Sequence, residues 1–447
     1  MPTPRTYHLV TLGCPKNDVD SEHLERLLVG GTLTPVDDTA AADAVIVNTC
    51  GFIEQAQAQS HDAIAALAAA KRPGQLLVVA GCLTQLYGRE VRERYPEIDH
   101  VFGAGEWNRV AKLLSVDVGA VYDIPESNVQ VRGPSAYLKI SDGCDAPCTF
   151  CVIPKIKGGL RSAPAGLLVK EVQRLVAAGA KELVLVGQDT TAWGEDLGMA
   201  AGAGLPGLLE TLSEAAGPET WLRLMYAYPS RVSERLVETM ARLPNVIPYL
   251  DVPLQHGSEA VLRRMKRPHN VERVLRMVED LRAAMPGLVL RTSFIAGFPG
   301  ETEAEFKELL AFARTVQFDH AGCFTYSRQQ WTGAFDAPDQ VPDEVKQERR
   351  DRFMRQQQRI AGKRAKAFVG RTMDLLVEGT GEDEDGDPVV AGRTYREAPE
   401  VDGLVFARGR AETGERVRVR IDAAEDYDLF GHVLAVKEAR PAGRGRR

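Results

Sequence analysis

The stretch GCDAPCTFC at residues 143–151 decides the fold of this chain, because it holds three cysteines in one short loop. Cys144, Cys148 and Cys151 follow C-x3-C-x2-C spacing and come directly after the strand-like run at residues 136–141. Zinc loops usually pair their thiols as C-x-x-C and add Cys or His from a second segment, and no His pair stands nearby. A cubane iron–sulfur cluster suits three thiolates better, and it leaves one iron open to a small molecule with an amine and a carboxylate. The alternative interpretation is three buried structural cysteines or a disulfide pair.

The composition is that of a globular protein of two to four domains. The chain has 447 residues, of which 44% are hydrophobic, and it contains no apolar run near twenty residues and no charged-then-apolar leader. We therefore expect a cytoplasmic protein with no membrane segment. Seven cysteines are an odd number, which favours reduced thiols that act as ligands over a disulfide framework. The formal net charge of −7 argues against a dominant nucleic-acid role, although a local basic patch would be compatible with it.

The first segment, residues 1–115, predicts a small doubly wound parallel sheet. Its strand-like runs are at residues 6–13, 44–48, 75–81 and 98–103, with helix-like stretches between them. This alternation is typical of an α/β domain. Turn-forming residues without periodicity then indicate a linker at residues 116–134.

Three further cysteines follow the first three strand-like runs, namely Cys14, Cys50 and Cys82. The carboxyl ends of parallel strands share one edge of a sheet, where ligand sites collect. Each cysteine also stands beside Gly or Pro, which permits close approach of the backbone. We predict a second three-thiolate cluster site here; the alternative is that each is a small core residue.

The segment at residues 135–330 predicts a partial (βα)6 barrel. It has six strand-like runs with helix-like segments between them, and such repeats imply parallel strands with right-handed crossovers. Six units rather than eight leave an open side for a macromolecular substrate. The cysteine loop leaves the first strand, so the chemistry is expected at the carboxyl-terminal face.

Other side chains at that face are candidates for binding the cofactor. Gln188 and Asp189 follow the second strand and either hold an amino group or form a turn and helix cap. Gly297 and Gly300 follow the fifth strand and either let backbone approach an adenosine or satisfy a tight turn.

Two residues near this face are left out of the site. A lone histidine such as His256 is more often a hydrogen-bonded structural residue than a ligand. Cys323, within the sixth strand, is expected to pack in the core.

The rest of the chain predicts a connecting loop and one long charged helix at residues 331–370, then a small antiparallel β-barrel at residues 371–438. Four β-like runs, at residues 373–379, 404–409, 415–423 and 429–438, indicate the barrel. The helix has basic residues that could touch RNA, but a solvated connecting helix is the commoner case. The tail at residues 439–447 is basic, Gly-rich and expected to be disordered.

The cysteine loop is similar to the cluster motif of the radical S-adenosylmethionine enzymes, including Phe150, which in that superfamily lies beside the bound nucleoside. The first segment resembles the N-terminal domain of the methylthiotransferases of that superfamily, in LGCPKND with Ser21 and Glu22, in NTCGF, and in Gly81 with Cys82. The last barrel resembles a TRAM domain.

This resemblance implies two 4Fe–4S clusters, one on each cysteine set, and two molecules of S-adenosyl-L-methionine per turnover, as radical source and as methyl donor. Members often carry RGxxRSR after the cysteine loop, whereas this chain reads KGGLRSA and differs at Lys157 and Ala163.

The terminal barrel separates the branches of the family. Residues 371–438 contain 17 acidic and 9 basic residues, a net charge of about −8, which repels phosphate and suits a basic protein. The sequence GRTYREAPEVDG at residues 392–403 resembles the branch that acts on ribosomal protein uS12. The resemblance implies an enzyme, expected to be a monomer, that adds a methylthio group to the β-carbon of one aspartate in uS12, either free or on the small subunit. It identifies neither the sulfur donor nor the reductase. The alternatives are a transfer RNA adenosine methylthiotransferase and a non-enzymatic iron–sulfur protein that binds RNA.

Overall fold

The computed structural model describes residues 4–116, 131 and 133–434. The chain divides into two compact units, Met1–Gln356 and Gln357–Arg447. The predicted linker lies almost wholly, and the predicted basic tail wholly, outside the described residues. None of the described helices is long and apolar enough to cross a membrane.

The N-terminal domain is the predicted doubly wound sheet, with five parallel strands in the order β2-β1-β3-β4-β5. The strands are β1 (Thr6–Thr11), β2 (Thr34–Pro35), β3 (Ala44–Thr49), β4 (Leu76–Gly81) and β5 (His100–Val101), and the helices are α1 (Pro15–Gly30), α2 (Glu54–Ala70), α3 (Cys82–Arg94) and α4 (Trp107–Leu113). Every residue of β3 is buried, as expected for a central strand covered on both faces. Ala44 and Ile46 pack under α1 and α4, and Val45 and Val47 pack under α2 and α3. The short, exposed β2 was not among the predicted strands.

The predicted six-stranded barrel follows in the same unit. Its strands are β6 (Ser135–Lys139), β7 (Ser141–Asp142), β8 (Arg161–Ser162), β9 (Glu182–Val186), β10 (Trp221–Leu224), β11 (Val246–Asp251), β12 (Val289–Ala296) and β13 (His320–Thr325). Apart from the small antiparallel pair β7 and β8, they form one parallel sheet in the order β13-β12-β11-β10-β9-β6. The helices are α5 (Ile153–Ile156), α6 (Ala165–Ala177), α7 (Gly204–Ala216), α8 (Glu234–Arg242), α9 (Glu259–Arg264), α10 (Val271–Ala284) and α11 (Glu303–Val316). Apolar faces of the longer helices and inward strand residues make one continuous core.

The long charged helix is α12 (Asp343–Lys366), and a closed five-stranded barrel follows it. The barrel strands are β14 (Thr372–Glu382), β15 (Pro388–Arg393), β16 (Val405–Arg408), β17 (Arg416–Ala424) and β18 (Leu429–Val433). The prediction of an antiparallel barrel needs one correction, because β16 and β18 pair in parallel while the other neighbours are antiparallel. Strand β15 was not predicted, since its short run PVVAGR follows a turn rich in Asp and Gly.

Candidate cluster and cofactor site

The first cysteine set lies at the carboxyl edge of the N-terminal sheet. Cys14 caps α1 just after β1, Cys50 follows β3 directly, and Cys82 is the first residue of α3 after β4. Because β1, β3 and β4 are neighbours in the sheet, the three thiols come together although they are far apart in sequence. Cys14 and Cys50 are both close enough to act electrostatically on Cys82.

Glycine is required at two positions of this edge. Gly13 has φ +110°, and a Cβ there would lie 2.8 Å from the Cβ of Cys50. Gly81 has φ +111°, and a Cβ there would lie 2.7 Å from the backbone N of Thr49. Side chains at either position would separate the strand ends that carry the cysteines.

Asn17 holds the three strand ends together, a role that we did not predict. Its Nδ2 donates to the carbonyls of Leu12 at 2.7 Å and Thr49 at 3.2 Å, and its Oδ1 lies 3.7 Å from the Sγ of Cys82. The motif LGCPKND contained the signal, because an asparagine three residues after a cysteine at a helix start can bridge backbone groups.

Two thiols of this set, those of Cys50 and Cys82, favour the neutral form when no metal is bound. Burial raises the pKa of Cys82 to about 12 and also raises the pKa of Cys50. Three thiolates in such a place need compensating positive charge, which iron ions supply. No group of three or more Cys, His, Asp or Glu side chains in the described residues is suited to a single metal ion. A cubane cluster has a wider spacing, because each thiolate binds a different iron, so the donor set is compatible with it.

The second cysteine set occupies the loop between β7 and α5. The N–H of Cys144 donates to the carbonyl of Gly158 at 3.1 Å, and the N–H of Cys151 donates to that of Cys148 at 3.2 Å. Gly143 has φ +75°, and a Cβ there would be 2.0 Å from the carbonyl oxygen of Gly159. These contacts turn the loop back on itself and direct the three thiols to a common space.

Burial raises the pKa of Cys151 to about 12 and also raises the pKa of Cys144, as in the first set. Nη1 of Arg267 brings a positive charge to 3.7 Å from the Sγ of Cys148. The same guanidinium lies over the ring of Tyr228 at 4.1 Å. No motif in the sequence predicted Arg267, which follows α9 and reaches the loop only in the folded chain.

Gln188 and Asp189 have different environments. Nε2 of Gln188 donates to Asp142 at 3.0 Å, while its Oε1 is buried and has no partner among the described residues. That oxygen is suited to accept from an ammonium group. Asp189 caps the turn Thr190–Ala192 and pairs with Arg231 at 3.1 Å, and burial raises its pKa. The cap is therefore present, and contact of either residue with a cofactor stays a prediction.

The remaining candidates lie at the same carboxyl end of the sheet, towards β12. Phe150 is half-buried against a cluster that includes Met265 and Phe298. Gly297 has φ +74° and Gly300 has φ +72°, so both need glycine for their turns. A Cβ on Gly297 would lie 2.2 Å from the Cγ of Lys346 in α12, which shows that this turn is packed against a helix. Approach of an adenosine to these glycines stays a prediction.

His256 and Cys323 are structural residues, in agreement with the sequence. Nδ1 of His256 accepts from the N–H of Ser258 at 2.9 Å, and Nε2 lies 3.2 Å from Glu301, which also pairs with Arg349 at 2.9 Å. Cys323 is buried in the core of the barrel.

The two cysteine sets adjoin each other. Cys82 shares a small buried apolar cluster with Val152 and Ile156, and Val152 directly follows Cys151. Close by, Nζ of Lys157 donates to Asp20 of α1 at 2.7 Å. Lys157 is one of the two residues at which this chain differs from the RGxxRSR pattern, and its ammonium connects the helix that follows Cys14 with the segment that follows Cys151.

Comparisons with known proteins agree with this architecture. The model of the uncharacterized protein family UPF0004 matches residues 6–103, that of the Radical SAM superfamily matches residues 138–313, and that of the TRAM domain matches residues 369–434. Together with the open six-stranded barrel and its three-cysteine loop, these matches define a radical S-adenosylmethionine enzyme.

Two curated relatives are named ribosomal protein uS12 methylthiotransferase RimO. The protein from Herpetosiphon aurantiacus is 44% identical over 468 residues, which cover 96% of this chain and 100% of the relative. The protein from Chloroflexus aurantiacus is 44% identical over 456 residues, with the same coverage. The chain belongs to the RimO family of radical S-adenosylmethionine methylthiotransferases.

Solved structures share the fold at low identity. The radical S-adenosylmethionine methyltransferase TsrM from Kitasatospora setae has a TM-score of 0.57 at 14% identity, over 74% of this chain and 75% of that one. The cobalamin-dependent radical enzyme OxsB has a TM-score of 0.51 at 15% identity, over 80% of this chain and 56% of that one.

Proposed function

We propose that this protein transfers a methylthio group to the β-carbon of one aspartate in ribosomal protein uS12. The observation that carries the proposal is that Cys82 of the first set packs against Val152 and Ile156, in the segment directly after Cys151 of the second set. Sulfur insertion needs a hydrogen-abstracting site and a sulfur-bearing site near the same carbon. A chain that places two three-thiol sites side by side meets this requirement.

Each cysteine set provides the donors for one 4Fe–4S cluster. Cys14, Cys50 and Cys82 would hold one, and the three cysteines of the 143–151 loop would hold the other. When bound, the clusters and two molecules of S-adenosyl-L-methionine supply radical hydrogen abstraction, a coordination position for sulfur, and a methyl group.

The chain's own residues have binding and orienting roles in this scheme. The unpartnered Oε1 of Gln188 can accept a hydrogen bond from the ammonium of the methionine moiety. Arg267 keeps a positive charge beside Cys148, which would offset part of the negative charge of three thiolate ligands. The buried cluster around Val152 excludes water from the space next to the cysteines, and a carbon radical requires such a dry environment.

The acidic terminal barrel supports a protein substrate over a nucleic acid. Residues 371–438 have a net charge of about −8, which attracts a basic ribosomal protein and repels phosphate. The two relatives above carry uS12 in their names. The enzyme acts as a cytoplasmic monomer, on uS12 either free or within the small subunit.

The test is anaerobic turnover of the reconstituted full-length protein with S-adenosyl-L-methionine and a reductant, with uS12 and bulk transfer RNA offered in parallel. We expect a gain of ~46 daltons on one uS12 aspartate, from replacement of H by SCH3. The variant Cys50→Ala should abolish this gain, whereas Cys323→Ala, which removes a thiol outside both sets, should keep it. Modification of the RNA alone would show that the substrate is a transfer RNA.

A further inference from the structure

One loop, separate from the segment of Lys157, connects the surroundings of the two cysteine sets. We call residues 327–334, which follow β13, the bridging loop. At its start, Oγ of Ser327 accepts from the N–H of Glu54 at 3.2 Å. At its end, the N–H of Ala334 donates to the carbonyl of Thr149, between Cys148 and Cys151, at 2.8 Å. The bridging loop therefore reaches from the helix after Cys50 to the second cysteine loop.

Gln57 joins the middle of the bridging loop to the first cysteine loop. Its Nε2 donates to the carbonyl of Gly51 at 3.0 Å and to Oε1 of Gln329 at 2.7 Å. Phe52 follows Gly51, and Trp331 lies two residues after Gln329. The amide of Gln57 thus brings two aromatic residues to one edge, directly beside Cys50.

These aromatic side chains are exposed to an unusual degree. Phe52 is 40% exposed and Trp331 is 49% exposed, and the ring of Trp331 lies 5.3 Å from that of Tyr87. Large exposed aromatic groups mark interaction sites on many proteins. Their position beside a cysteine set connects the site with the reaction.

The backbone departs from regular geometry at both Trp331 and Tyr87. Trp331 has φ +63°, a conformation that a bulky residue rarely adopts. Tyr87 has φ −128° and ψ +28° inside α3, where it interrupts the helix. The positive φ of Trp331 is a strained conformation, and such strain collects at functional sites because surrounding contacts must hold it in place.

The local charge is negative. Burial raises the pKa of Tyr87, and the carboxylates of Glu90 and Glu54 act in the same direction, so both are within electrostatic range of the ring. Both glutamates are exposed, and neither forms an ion pair within the part of the chain that the structure describes. Aromatic faces flanked by unpaired carboxylates favour an arginine or lysine side chain.

We propose that Phe52, Tyr87 and Trp331 form an aromatic rim that binds a basic segment of the polypeptide substrate next to its modified residue. The proposal rests on the proposed function, because it takes uS12, a basic ribosomal protein, as the occupant. The rim positions the substrate beside the first cysteine set and takes no part in bond making or breaking.

The experiment measures the KM and kcat of the reconstituted full-length enzyme for purified uS12. Trp331→Ala should raise KM about tenfold and leave kcat within about twofold, since a half-exposed aromatic contact at an interface is lost. Trp331→Phe, which keeps an aromatic face, should restore most of the affinity. The double variant Glu54→Gln and Glu90→Gln should raise KM about fivefold and reduce its dependence on salt.

The matched control is Met199→Ala, which removes an apolar side chain that is 45% exposed and lies beside Gly194, before α7. It should keep the wild-type KM. If the wild-type enzyme modifies uS12 and Trp331→Ala has the same KM, the rim proposal alone is wrong. If the wild-type enzyme leaves uS12 unmodified, the proposed function is wrong and the rim loses its proposed occupant.

Discussion

Replacement of Asp20 by Asn should destabilise the first unit strongly, because it breaks a buried group of four charges. Asp20 contacts the ammonium groups of both Lys139 and Lys157, and Asp142 lies 3.6 and 3.7 Å from the same two groups. The side chains of Asp20 and Lys157 are only 5% and 4% exposed. After the substitution, two lysines would share one carboxylate at a longer distance.

Two estimates give the expected size of the effect. Removal of one partner from a buried ion pair costs about 3–5 kcal/mol. Burial raises the pKa of Asp20, but the ammonium groups of Lys139 and Lys157 outweigh it and lower the pKa from 3.8 to about 2. A shift of that size corresponds to about 2 kcal/mol of stability at neutral pH. We therefore expect a loss of about 2–5 kcal/mol for Asp20→Asn.

The pKa of Asp20 also fixes the sign of the pH dependence. Its folded-state value is depressed, so the stabilisation is present above the unfolded pKa near 4 and is lost as the pH falls towards 2. The wild-type protein should lose this contribution between about pH 5 and pH 2, and Asp20→Asn should show a smaller loss over that range.

The assay is urea denaturation of the cluster-free protein under reducing conditions, followed by tryptophan fluorescence. The control is Arg89→Met, which breaks the exposed pair with Glu93, whose side chains are 87% and 63% exposed, and which should change stability by less than about 0.5 kcal/mol. In the double variant Asp20→Asn with Lys157→Met, part of the loss should be recovered, because no ammonium then lacks its partner. Equal midpoints for Asp20→Asn and Arg89→Met would refute the reasoning.

Two further predictions concern the cysteine sets. Gly81→Ala should lower the stability of the protein by about 2–4 kcal/mol, because φ +111° and a 2.7 Å approach to the backbone of Thr49 leave no room for a Cβ. The second cysteine set is untouched, so iron analysis after reconstitution should give roughly half of the wild-type iron content. The control for backbone strain alone is Gly74→Ala, because Gly74 has φ +83° and open space around it. Arg267→Met should lower the reduction potential of the second cluster by tens of millivolts, because it removes a positive charge 3.7 Å from Cys148. The potential is measured by a redox titration followed by electron paramagnetic resonance, and an unchanged potential would contradict the prediction.

The fold could be predicted where apolar runs are long and β-branched. Strand β9, ELVLV, is buried throughout, and its continuous apolar run predicts a central parallel strand. Strand β2 has only the exposed residues Thr34 and Pro35, so no hydrophobic pattern marks it. In β15, Arg393 is buried and pairs with Glu378 of the neighbouring strand β14. Charged residues are usually exposed, so a buried arginine hides the strand from a prediction based on hydrophobic pattern. The parallel pairing of β16 and β18 depends on how the chain closes the barrel and leaves no local signal.

The two cysteine sets could be recognised as candidate sites because their spacing and their positions at strand ends are local features, and their role as cluster ligands stays a prediction. The residues around them could not be recognised. Lys157 and Asp20 are 137 positions apart, and Arg267 meets Cys148 across 119 positions. The contact of Lys157 with Asp20 exists only once the two sheets have packed together, and that of Arg267 with Cys148 only once the barrel has folded. Each charged residue taken alone is indistinguishable in sequence from an ordinary surface charge. The departure of Lys157 from the family pattern was visible in sequence, but its partner was not.

The surroundings of the two cysteine sets are joined by three contacts that differ in how easily they open. This difference indicates where the substrate enters. The apolar cluster of Cys82, Val152 and Ile156 is buried, and the ion pair of Lys157 with Asp20 is nearly so, so opening either one would expose apolar surface or unpaired charge. The bridging loop begins with an exposed hydrogen bond, from the N–H of Glu54 to Oγ of Ser327, and carries the half-exposed Trp331; water can replace an exposed bond of this kind at little cost. Local opening follows the least stable contacts. A polypeptide that must bring one carbon between the two cysteine sets would therefore enter on the side of the bridging loop, where the aromatic rim lies.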